Sequence, residues 1–91
     1  MPKYKHSAWS KERRNKIRSK RIEVGFDSAD EFAKALKERG LDQNGYAYLC
    51  RERGEKEASV DEVQVYADVL GISVLEAIEL FSHRKDALKP V

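Results

Sequence analysis

Proline is confined to the two ends of this 91-residue chain, at Pro2 and Pro90, so nothing between them forces a helix to break or kink. Cysteine occurs once, as Cys50, which excludes an internal disulfide and a thiolate metal site built by this chain alone. No apolar run approaches the ~20 residues that cross a bilayer, and the opening MPKYKHSAWSKERR lacks the apolar stretch of a signal peptide, so the expected setting is the cytoplasm, away from any membrane. The two histidines, His6 and His83, stand near opposite ends with Cys50 between them. No nucleophile–base pair, phosphate-cradling glycine loop or acidic metal-binding loop is visible, so no catalytic residue, metal or cofactor is expected and the chain does not read as an enzyme.

What the sequence has in quantity is charge: 37% of residues are Asp, Glu, Lys or Arg, yet the net charge is only +2. The distribution is uneven. Residues 1–21 hold nine bases (Lys3, Lys5, Lys11, Arg13, Arg14, Lys16, Arg18, Lys20 and Arg21) against Glu12, and the acids gather after Gly54. A basic arm leading into a basic first helix is an electrostatic footprint for phosphate. Ninety-one residues suffice for one modest core but not for an additional effector domain. The expected organisation is a basic arm over 1–9, a folded domain over 10–84 and a tail over 85–91.

Gly25, Gly40, Gly54 and Gly71 each follow a stretch of helical periodicity, as helix-terminating glycines do. Ser28-Ala-Asp-Glu31, Ser59-Val-Asp-Glu62 and Ser73-Val-Leu-Glu76 have the spacing of capping boxes, Ser10 stands where it can cap a first helix, and Asp42 can cap another. Five helices are predicted over 10–24, 29–39, 43–53, 60–70 and 74–84, with no strand, which gives an all-α fold. Their apolar stripes are Ile17 with Val24; Phe32, Ala33 and Leu36; Tyr46, Leu49 and Cys50; Val60, Val63, Ala67 and Leu70; and Val74, Ile78 and Phe81. Phe32, Leu49, Cys50, Val63, Ala67, Leu70 and Ile78 are the expected core.

In the third helix, an inward Tyr46, Leu49 and Cys50 turns Gln43, Asn44, Ala47, Tyr48 and Arg51 outward. That face carries no carboxylate. Amides in a first helical turn suit base edges, because Gln or Asn can bond adenine N6 and N7 together, and Arg51 further along would reach a phosphate or a guanine. Gly45 costs roughly 1 kcal/mol in a helix interior, which implies that helix two or DNA comes close to the backbone there.

The stretches GFDSADEFAKAL, GLDQNGYAYL and YADVLGISVLEAIELF resemble, in order, the loop and second helix, the turn and recognition helix, and the fourth-to-fifth helix segment of the lambda-repressor/Cro (XRE) helix-turn-helix family, across roughly residues 15–81. The resemblance implies a five-helix lambda-repressor-like DNA-binding domain and a sequence-specific transcriptional regulator, a repressor, that places helix three in the major groove as a homodimer on double-stranded DNA. Gln43, Asn44, Ala47 and Tyr48 are then the expected base-contacting residues. Lys3, Lys5, Arg13, Arg14, Lys16 and Lys20, with Ser28, Arg51, Arg53 and Lys56, are the expected backbone contacts. Leu75, Ile78, Leu80 and Phe81 are the expected dimer interface. The chain departs from the family in a second helix about one turn longer, an insertion around Arg51-Glu-Arg53, and Ala29 where a polar side chain is usual. The alternative is an antitoxin-like interaction module with autoregulatory DNA binding, whose toxin or co-regulator would cover the apolar surplus of Leu75, Ala77, Leu80 and Leu88.

Overall fold

A computed structural model describes residues 9–82 as five helices: α1 (Lys11–Glu23), α2 (Ala29–Glu38), α3 (Gly45–Arg53), α4 (Val60–Leu70) and α5 (Val74–Phe81), with no strand among the described residues. No helix in this span is long and apolar enough to cross a membrane. Each helix begins where a side-chain oxygen satisfies an orphan N–H. Ser10, Ser28, Ser59 and Ser73 accept from the backbone of Arg13, Glu31, Glu62 and Glu76 at 3.0–3.2 Å.

Only the α4 cap is fully reciprocal, with Glu62 Oε1 accepting from the Ser59 N–H at 2.9 Å. Glu31 reaches past its cap to the N–H of Asp27, and Glu76 turns to Lys20 at 3.4 Å. The expected start of α3 is corrected. Asn44, not Asp42, is its cap, with Oδ1 accepting from the Ala47 N–H at 2.8 Å, so the helix begins at Gly45 and the Gln43 backbone lies outside it. Gly54 closes α3 with φ +81, a left-handed turn that a Cβ would strain. Helix α5 ends at Phe81 with Ser82 extended, short of the expected 84; residues 83 and 84 lie outside the described span.

The core is built on four aromatic rings from four elements. Tyr48 stands 4.5 Å from Phe32, 5.4 Å from Tyr66 and 6.2 Å from Phe81, centroid to centroid, and Tyr66 stands 4.8 Å from Phe81. Tilted and edge-on pairs at these distances add about 0.5–1.5 kcal/mol each to the burial of the rings. Ile17, Leu36, Val63, Ala67, Leu70 and Ala77 fill the space around them.

Several sequence expectations fail here. Tyr48 is fully buried, whereas Tyr46, placed inside by the periodicity, is 71% exposed. Leu49, Cys50 and Ile78 are only half-buried, and Val24 is exposed. Leu80 and Phe81 lie in the core and have no surface to offer a second subunit.

Trp9 closes the α1 end of the domain. It is buried, and its indole N–H donates to the Arg51 carbonyl at 2.9 Å. Arg13 stacks over its ring at 3.8 Å and donates to the carbonyls of Glu79, Leu80 and Ser82 at the last turn of α5. A guanidinium is well matched to those orphan carbonyls and to the negative end of the helix dipole, because α5 has no basic residue of its own in that turn.

Candidate nucleic-acid interface

Helix α3 buries Gly45, Tyr48 and Glu52, spaced three and four apart on one face. At the near end, the space a Gly45 Cβ would take is occupied by Asp30 of α2, whose carboxylate lies across it and whose backbone N would stand 3.1 Å away. The close neighbour implied by a glycine in this helix is therefore α2. At the far end, Glu52 Oε1 accepts from Arg21 Nε of α1 at 2.9 Å, and Arg21 Nη1 also donates to the Phe26 carbonyl at 2.9 Å. Between these ends the Tyr48 hydroxyl is buried beside the Glu52 carboxylate without a well-formed hydrogen bond. Burial first, and then the neighbouring Glu52 charge, push its pKa well above the ordinary tyrosine range, so it stays a neutral phenol.

A second polar network joins the turn before α3 to α4. Tyr66 donates to Gln43 Oε1, Gln43 Nε2 donates to Glu62 Oε2 at 3.0 Å, and Arg51 Nη2 donates to the same oxygen at 3.0 Å. Arg51 also caps the Ala47 carbonyl at 2.9 Å. Burial would raise the Glu62 pKa, but the Ser59 N–H, Arg51 and Gln43 together hold it below the ordinary carboxylate value. Burial pushes the Tyr66 phenol upward.

These two networks correct the expected base-contacting set. Gln43 is buried with both ends of its amide engaged, and Tyr48 is a core residue. Asn44 remains exposed but its Oδ1 is committed to the cap, and Ala47 is half-buried on the outer side. Arg51, expected near the DNA backbone, is tied to Glu62. The outer side of α3 instead displays Tyr46, Ala47 and Cys50, with Asn44 at its tip; Tyr46 and Cys50 escape the sequence reading because the helical period puts both on the inward stripe.

The expected phosphate contacts also divide. Arg13 is consumed by the α5 terminus and the Trp9 ring. Lys16 borders a groove against α5 with Glu12, Glu76 and Glu79, and Lys20 pairs with Glu76, so both lie on an acid-rich flank of α1. Arg14 lies on the other flank, because helical spacing places Lys11, Arg14 and Arg18 beyond Arg21, the side from which Arg21 reaches α3. All three are exposed, and none forms an ion pair among the described residues. Ser28 is the α2 cap, Arg53 pairs with Glu55 at 3.2 Å, and Lys56 is exposed after α3. Lys3, Lys5 and Leu88 lie outside the described residues.

No group of His, Cys, Asp or Glu able to hold a metal ion occurs among the described residues. The chain matches no protein-family model, no curated protein and no solved structure.

Proposed function

We propose that the chain is a lambda-repressor-like helix-turn-helix protein that binds operator DNA with α3 in the major groove and acts as a transcriptional repressor. The observation that carries this reading is the α2–α3 pair: Gly45 seats α3 tightly on α2, while the opposite side of α3 exposes Tyr46 and Asn44 beside the half-buried Ala47. Lys11, Arg14 and Arg18 on the adjoining flank of α1 supply charge for phosphate. The two buried networks hold α3 against α1 and α4, which gives a reading helix a fixed orientation.

The bound form is a homodimer. With Leu80 and Phe81 in the core, its contact narrows to Leu75, 56% exposed, with Val74 and the half-buried Ile78 on α5. The same strip favours the alternative of a protein partner, such as a toxin, if no dimer forms.

The test is selection of binding sites from random duplex DNA by the full chain, with molecular mass measured in parallel. Enrichment of a two-fold symmetric site, half-sites about one helical turn apart, with a dimeric complex is the expected result. Failure to enrich any sequence rejects DNA reading.

A further inference from the structure

We propose that the α3 face reads thymine methyl groups, so that each half-site is anchored on A·T pairs through Tyr46 and Ala47 and not on guanine or adenine through polar side chains. This rests on the helix-turn-helix reading above.

Most of the polar groups that usually discriminate bases are engaged by partners within the domain. Guanine is recognised best by a bidentate Arg or Lys, but Arg51 is bound to Glu62 and the Ala47 carbonyl, and Arg53 to Glu55. Adenine calls for an amide offering acceptor and donor together. Gln43 has both ends engaged inside the domain, and Asn44 has its oxygen directed at the Ala47 N–H, which leaves the Nδ2 donor as its outward group. What remains on the outer side, besides the Asn44 donor, is the exposed Tyr46 ring with the half-buried Ala47 methyl and the half-buried Cys50 one turn on. In the major groove the apolar feature that distinguishes one base from the others is the thymine C5-methyl. Lys11, Arg14 and Arg18 are exposed on α1, the helix that Arg21 joins to α3, and this unpaired positive charge makes DNA the complementary occupant, as an apolar protein partner would leave it without counter-charge.

The experiment measures binding of the full chain to its selected duplex with deoxyuridine replacing thymidine one position at a time, a change that removes only the methyl. A loss of about fourfold per contacted methyl is expected at one or two positions in each half-site. That loss should disappear in Tyr46→Ser, whose exposed position spares the fold, with an unchanged melting temperature as the check. Full affinity across every deoxyuridine duplex, or losses unchanged in both Tyr46→Ser and Ala47→Ser, would overturn the proposal while leaving the helix-turn-helix reading intact. Absence of any sequence-selective binding would overturn both.

Discussion

Arg21 of α1 and Glu52 of α3 meet at 2.9 Å with their side chains only 5% and 6% exposed, the one ion pair of such depth among the described residues. Removing one partner strands a buried charge, which costs about 3–5 kcal/mol, whereas replacing both by apolar residues of similar size is often neutral or better. Glu52→Leu should therefore destabilise the chain by that amount in urea denaturation, and Arg21→Met combined with Glu52→Leu should recover most of the loss. Equal loss in the single and double variants would show that the pair does not act as a unit.

Two buried tyrosines should respond oppositely to loss of the hydroxyl. Tyr48→Phe removes a phenol that makes no well-formed hydrogen bond, and is expected to be neutral or to stabilise by up to about 1 kcal/mol. Tyr66→Phe leaves Gln43 Oε1 without its donor and should cost about 1–2 kcal/mol. Thermal or urea melts of the two variants separate these outcomes. Because Tyr48 lies inside, Tyr48→Phe should also leave any DNA affinity unchanged.

Acid should weaken the link between α3 and α4. The folded Glu62 pKa lies below its ordinary value of 4.5, so its charge stabilises the fold fully above that value and loses this contribution as pH falls through the lower folded one. Glu62→Gln is expected to cost about 1–3 kcal/mol near neutral pH, with the gap to wild type closing below pH 4.5. A gap independent of pH would mean that shape, not charge, sets the cost.

The two flanks of α1 should contribute unequally to DNA binding. Arg14→Gln and Arg18→Gln should each flatten the dependence of log affinity on log salt by roughly 0.9, the value for one lost phosphate contact. Lys16→Gln and Lys20→Gln should leave that slope unchanged, since their side chains stand among Glu12, Glu76 and Glu79. Equal slopes for all four variants would contradict this division of the helix.

The number of helices, their approximate ends and four of the five caps were legible because those signals are local. A serine with its oxygen three residues before an N–H, or a glycine free to turn left-handed, acts within one turn of chain. The start of α3 escaped because Asp42 and Asn44 are both competent caps, and nothing within the turn separates them. The conformation that lets Gly45 settle on Asp30 selects Asn44.

The rotation of α3 was not in the sequence pattern, because Tyr46 and Tyr48 are chemically identical and both fit an amphipathic stripe. Burying either ring removes comparable area from water. The choice between them falls to distant partners: Phe32, Tyr66 and Phe81 receive the Tyr48 ring, and the same rotation brings Glu52 to Arg21. With Tyr46 inward, Arg21 would be buried without its counter-ion, a cost of several kcal/mol that the register avoids. Sequence alone thus determined that this chain is a string of five capped helices with an acid-free turn of α3 near Asn44. Tertiary structure decided which side of α3 faces outward, since a hydrophobicity pattern has no means of marking a glutamate and an arginine as a buried pair.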